Sequence, residues 1–311
     1  MKRSTFLLGA LASGLAAPAG ALGAGLAVDD YVRRGDTSGD VARIWSQRGN
    51  RKLVIILPPY GGDHHYYDAS TMPARLAEHG IDFAVLYTEV TGYNLPSDIT
   101  RLDALIRHVV DHRGYDPGKI VLGGFSAGGS GAFRYALRKL QGENLAILPA
   151  ALISVDAPLD LERWCKGMQL VLQRSDPSNP FYGECQYLTQ MYRDLFHGTP
   201  QENASAYWAN SVLTASKADG GNAGYFKQMP MRLYSEPDMD FFIRYGMDYS
   251  CINASDQVSM ASISTAQGNK NVSLVLTSGR GYRADLNNMR LPHSWSIVDE
   301  PALAEWIAAR L

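Results

Sequence analysis

The stretch that most restricts how this chain can fold is Lys119-Ile120-Val121-Leu122-Gly123-Gly124-Phe125-Ser126-Ala127-Gly128-Gly129-Ser130-Gly131. Lys119 to Leu122 is a short apolar run that reads as a strand. Ala127 to about Leu140 reads as a helix, with Phe133, Tyr135, Ala136 and Leu140 available to pack. Between the two, the backbone must pass from strand to helix within a few residues around one serine. Gly124-Phe125-Ser126-Ala127-Gly128 fits the pattern G-x-S-x-G, in which glycines let neighbouring backbone pass where a Cβ would clash. Such a turn presents Ser126 at a helix N-terminus, where amides and dipole favour developing negative charge. The pattern alone says little in a chain with 30 glycines, so the strand before it and the helix after it carry the weight. A phosphate-binding glycine turn is the alternative. No Lys-Ser or Lys-Thr of a P-loop follows, and no second glycine spacing fits a dinucleotide fingerprint.

Strands and helices alternate on both sides of this turn. Val41 to Gln47 is an early antiparallel strand, and Lys52 to Leu57 is a nearly continuous apolar run, as in a strand covered on both faces. It stops at Pro58-Pro59-Tyr60-Gly61-Gly62. A helix from about Thr71 to His79 and a strand from Ile81 to Thr88 follow. Ser97 or Asp98 caps a longer helix whose apolar face is Ile99, Leu102, Leu105, Ile106, Val109 and Val110. Further strands are expected at Ala150–Val155, Met231–Tyr234 and Val272–Thr277, and a last helix over Glu300–Leu311. The fold class is therefore α/β, a mostly parallel central sheet covered by helices on both faces. The exception runs from about 157 to 228, rich in aromatics and without clear strands, and reads as a largely helical cap insertion. A second packing layer with no role in binding is the alternative.

A strand-turn-helix serine of this kind takes its partners in the chain order serine, acid, histidine. Of the seven histidines, two follow Ser126. His197 lies inside the insertion, whereas His293 follows the last strand and precedes the last helix, so His293 is the expected base. For the acid, Ser235-Glu236-Pro237-Asp238-Met239-Asp240 follows strand Met231–Tyr234. Asp238 is preferred over Asp240 and Glu236, with Asp156, directly after its own strand, as the outside alternative. Two backbone donors are needed for an oxyanion. Ala127 supplies one. Pro58 and Pro59 have no N–H, which makes Tyr60 the other choice, with Gly61 behind it. His64, His65, Phe125, Trp164 and Trp208 are candidate substrate contacts. Asp63-His64-His65 has the composition of a metal site, but adjacent side chains usually diverge, so no metal and no cofactor are expected.

The termini and composition narrow the setting. Met1-Lys2-Arg3 is basic, Phe6 to about Leu22 is apolar, and small-residue cleavage sites lie near Ala17–Ala24. Residues 1–25 thus read as a signal peptide and 26–311 as one catalytic domain, giving a protein exported to the periplasm or beyond, without a stable membrane anchor. In an oxidising compartment Cys165–Cys185 is the preferred disulfide, leaving Cys251 free. A formal net charge of -2 gives no reason to expect nucleic acid as a partner.

With Lys52–Gly62, Gly124–Gly128, the acid loop at Asp238 and Pro292-His293-Ser294 together, the chain resembles the alpha/beta-hydrolase superfamily over roughly residues 40 to 311. The resemblance implies an eight-stranded, mostly parallel sheet and Ser126, Asp238 and His293 as nucleophile, acid and base. It departs from members with a His-Gly-Gly-Gly loop, having Pro58-Pro59 there. A tyrosine donor after a proline turn is similar to secreted cutinase-like enzymes. The implied activity is hydrolysis of a small or polymeric carboxylic ester. A prolyl-oligopeptidase type of serine peptidase, or a binding protein that keeps the fold without turnover, are the alternatives.

Overall fold

The computed structural model describes residues 25–32, 41–87, 96–283 and 286–311. The expected leader, apart from Gly25, and Thr88 lie outside the described residues. Eight strands form one sheet: β1 (Ala27–Val32), β2 (Val41–Ser46), β3 (Lys52–Leu57), β4 (Ile81–Tyr87), β5 (Ile120–Phe125), β6 (Ala151–Val155), β7 (Met231–Ser235) and β8 (Val272–Leu276). Their spatial order is β1-β2-β4-β3-β5-β6-β7-β8. β2 runs antiparallel to β1 and to β4, while β3 is parallel to β4 and β5, and β5 to β6. All six residues of β5 and all five of β6 are buried. Since neighbouring side chains on a strand point to opposite faces, both faces of these strands are covered, as their continuous apolar runs require. β1 has no counterpart in the sequence reading, because Asp29 and Asp30 interrupt its alternation.

The chain divides into two compact units. One comprises the described residues up to Val155, Met229–Met231 and Val298–Leu311. Here the helices are α1 (Met72–Ala77), α2 (Pro96–Arg113), α3 (Ala127–Leu140) and α9 (Glu300–Ala308). The six apolar residues predicted for one face of α2 are all buried. That helix stops where Gly114 takes φ +68°, a left-handed position that suits glycine. Buried Asp103 on α2 accepts from the Tyr135 hydroxyl of α3 and the Ala146 amide, each at 2.6 Å, so a charge inside this unit is paired on two sides. Glu300 ties α9 to the start of α1 by accepting from Ser70 Oγ (2.6 Å) and the Thr71 amide (2.7 Å).

The other unit comprises Asp156–Gln228 and Arg232–Ile297. The inserted segment is helical, with α4 (Leu161–Arg174), α5 (Tyr182–Leu195) and α6 (Ala204–Asn210). Leu161, Cys165, Met168, Val171, Cys185, Leu188, Tyr192, Phe196 and Tyr207 make a hydrophobic core of its own there. Two more helices, α7 (Met239–Ile243) and α8 (Ala254–Ala266), follow β7. A two-stranded hairpin, β9 (Tyr282–Arg283) with β10 (Met289–Arg290), precedes His293. The expected disulfide is corrected: Cys165, Cys185 and Cys251 are all free thiols. Cys165 faces the Tyr207 hydroxyl and Cys185 interacts with Cys251, so the first two are directed to different neighbours. Among the described residues no helix is long and apolar enough to cross a membrane.

Candidate active site

The turn around Ser126 has the geometry its glycines foretell. Ser126 sits at φ 54°, ψ -127°, a conformation that side-chain-bearing residues rarely hold, and α3 starts at the next residue. A Cβ on Gly124 would lie 2.4 Å from the Gly128 carbonyl carbon. One on Gly128 would lie 2.1 Å from the Leu57 oxygen and 2.5 Å from that of Pro58. Both glycines of the motif are therefore demanded by backbone packed on backbone. The contact at Gly128 also brings the end of β3 against the first turn of α3. Just beyond Pro58, Gly62 N–H closes a turn on the Pro59 carbonyl at 3.0 Å, with Gly61 at φ +70°. Tyr60, in that turn, and Ala127, the first residue of α3, thus flank one close approach of two backbones.

The carboxylate beside His293 is that of Asp156, not of the expected Asp238. His293 Nδ1 lies 2.6 Å from Asp156 Oδ2, and the Asp156 side chain is almost wholly buried. Ser235 Oγ donates to the other carboxylate oxygen. Asp156 itself takes φ +46°, unusual for a residue with a side chain, and its amide donates to the Tyr234 carbonyl at 2.8 Å. Asp238 is engaged elsewhere: it caps α7 by accepting from the Phe241 amide at 3.0 Å and pairs with Arg290. Glu236 receives the Arg280 amide, Thr277 Oγ1 and Arg290, and Asp240 is exposed. Asp238, favoured by its three-residue interval from Ser235, is instead the N-cap of α7, three residues before the Phe241 amide that it accepts. Asp156, the alternative at the end of β6, keeps the same serine, aspartate, histidine order along the chain.

Sequence reasoning also missed groups around this pair. Asn253 Nδ2 donates to the Asp156 carbonyl at 2.9 Å. Glu184, on the first turn of α5, interacts electrostatically with His293; burial pushes its carboxyl up and the imidazole draws it down.

The remaining candidates are placed as follows. Phe125 is buried and stacks on Tyr66, with ring centres 5.6 Å apart. Trp164 packs edge-on against Tyr192, and Trp208 donates its indole N–H to Glu162 at 2.6 Å with Lys217 over its face. Both tryptophan rings thus serve the packing of the insertion. His64 and His65 lie on a 3-10 turn, His64–Tyr67, capped by Asp63. That turn overrides the divergence expected of neighbours, since ligand atoms of Asp63, His64 and His65 fall within 4.8 Å of one another. The Arg43 guanidinium is 3.3 Å from His65 Nδ1 and bonds Asp68 at 2.8 Å, which sets a fixed cation beside any metal held there. Burial first, and then Arg43, hold the His64 imidazole below its usual range.

No protein-family model and no curated protein match this chain. Solved structures do. A mutant of esterase E40 is 18% identical with a TM-score of 0.56, over 93% of this chain and 86% of that one. An esterase/lipase from an uncultured bacterium is 15% identical with a TM-score of 0.55, over 93% and 87%. MPT51 (FbpC1) of Mycobacterium tuberculosis is 15% identical with a TM-score of 0.60, over 91% and 98%. At such identities the likeness is one of architecture: an eight-stranded, mostly parallel sheet flanked by helices, with a helical insertion, which is the alpha/beta-hydrolase fold.

Proposed function

We propose that this protein is a serine hydrolase that cleaves carboxylic esters through an acyl-enzyme, with Ser126 as nucleophile, His293 as base and Asp156 as the acid that orients it. One step along the chain carries the reading. The Ser126 amide donates to the Val155 carbonyl at 2.9 Å, and the next residue, Asp156, holds His293 Nδ1 at 2.6 Å. With Nδ1 committed to the carboxylate, the other ring nitrogen is the one left to take the Ser126 proton. Oγ then attacks the ester carbonyl, and the amides of Ala127 and Tyr60 receive the oxyanion. His293 returns the proton to the departing alkoxide, and a water repeats the cycle to release the acid. An alkoxide leaves without any site for a peptide amino end, and the solved esterases of the same fold agree with this choice of leaving group. We also read Met1 to about Leu22 as a leader for export, which mass spectrometry of the mature N-terminus checks.

A fluorophosphonate probe tests the nucleophile. Wild type should label covalently and Ser126→Ala should not; labelling that persists in the variant rejects Ser126. A panel of p-nitrophenyl esters against aminoacyl anilides tests the bond, and preference for the anilides would reverse the assignment to esters.

A further inference from the structure

We infer that Asn253 is a positioning residue for the acid, held ready by Arg163; the inference rests on the reading in which Asp156 orients His293. Asp156 must keep φ +46° for its carboxylate to face the imidazole, and a side-chain-bearing residue stays there only when its surroundings hold it. The holding groups come from one turn at the start of α8. Asn253 Nδ2 donates to the Asp156 carbonyl at 2.9 Å, and Gln257 Nε2 to the Ala157 carbonyl at 2.6 Å. Asp256 Oδ2 accepts the amides of Leu159 (2.8 Å) and Asp160 (3.0 Å). Residues 253, 256 and 257 are three and four apart, so they share one helix face, and that face grips successive peptides of the segment that begins with the acid.

Asn253 stands out among the three because it forgoes an ordinary role. It is the N-cap of α8, where an asparagine side chain usually accepts a first-turn amide, and here it makes no capping bond. Its Oδ1 instead accepts from Arg163 NH2 at 3.2 Å, which fixes which end of the amide points to Asp156. Arg163 is in turn held through Nε by Asp256 Oδ1 at 2.7 Å and through NH2 by Oδ2 of the same carboxylate. The order Asp256, Arg163, Asn253, Asp156, His293 links a buried ion pair to the imidazole.

Asn253→Asp separates the two bonds, since the carboxylate still accepts from Arg163 and can cap α8 but has no proton for the Asp156 carbonyl. Asn253→Ser is the second variant, a good N-cap too short to reach that carbonyl. The expected result for both is a kcat lower by about 10- to 100-fold with KM within about twofold, the scale of a small misplacement of a catalytic group. The low-field proton NMR resonance of the His293 Nδ1–H bond should shift or broaden in both. Melting temperatures identify the variant that stays folded, and that variant decides. Unchanged kcat and resonance in a folded variant of an enzyme whose wild type labels with fluorophosphonate overturns the role of Asn253 alone. A wild type that fails to label overturns the underlying reading instead.

Discussion

Asp156 and His293 are joined carboxylate to Nδ1 at 2.6 Å, while Asp238, the aspartate favoured by spacing, caps α7 and pairs with Arg290. The two aspartates therefore respond differently to the same small change. In Asp156→Asn the amide can present a donor to Nδ1 and turn the ring to the wrong tautomer, so kcat should fall roughly a thousand- to ten-thousand-fold. Asp238→Asn keeps an N-cap oxygen and loses a part-exposed ion pair, so its cost should be below about 1 kcal/mol of stability with kcat within a few-fold. Steady-state hydrolysis of a p-nitrophenyl ester with urea titration of both variants decides. A severe loss in Asp238→Asn with a mild one in Asp156→Asn would reverse the assignment.

The same pair shows what the sequence holds and what it hides. The turn at Gly124–Gly128, the limits of α3 and the buried runs of β3 to β6 follow from local rules: glycine where backbones touch, continuous apolar residues where both faces are covered. The partner of His293 does not, because Asp156 and Asp238 each follow a strand and each lie between Ser126 and His293 in the chain. What separates them is long-range: Ser235, Asn253 and His293 converge on Asp156 from 79 to 137 residues away. The fate of the tryptophans is also tertiary, since Glu162 and Tyr192 claim Trp208 and Trp164. Asp63, His64 and His65, whose side chains were expected to diverge, are drawn together by a 3-10 turn that composition does not announce.

Gly128 and Gly183 should separate packing need from helix preference. A methyl group at Gly128 meets the Leu57 oxygen at 2.1 Å, and neither backbone can yield without breaking the β3–β5 pairing or the first turn of α3. Gly128→Ala should lose roughly 3 kcal/mol or more, or fail to fold. Gly183 lies in the first turn of α5 with nothing within 4 Å of a Cβ, so Gly183→Ala should gain up to about 1 kcal/mol from helix propensity. Chemical denaturation measures both, and a well-folded Gly128→Ala variant of unchanged stability would reject the close approach.

The thiols give a direct check on the packing of the insertion. Burial pushes the thiols of Cys165 and Cys185 up to about 12, so neither supplies appreciable thiolate at pH 8. Cys251 is half-buried and also raised by burial, though less enclosed. With a disulfide-exchange reagent at pH 8 the native protein should react slowly, Cys251 first, and denaturant without reductant should release three thiols. Release of a single thiol would mean that two are joined.

Asp160 should impose a pH dependence on stability. It is 1% exposed, caps α4 by accepting the Arg163 amide, and also accepts the Ala215 amide. Burial and then the neighbouring Asp256 carboxylate raise its carboxyl from 3.8 to about 6, against the downward pull of those two amides and the Arg163 charge. The folded state therefore holds a proton that the unfolded chain has released between those two values, and linkage makes stability fall as pH rises through that window. The loss is complete above about pH 6 and amounts to about 3 kcal/mol at most. Asp160→Asn cannot ionise, and its amide conflicts with the Ala215 N–H at every pH, so it should carry a constant offset in place of the slope. Urea titrations of both proteins at pH 4 and pH 7 measure the difference: wild type should lose stability relative to Asp160→Asn between the two, and a relative gain would mean that the folded protein favours the ionised carboxylate.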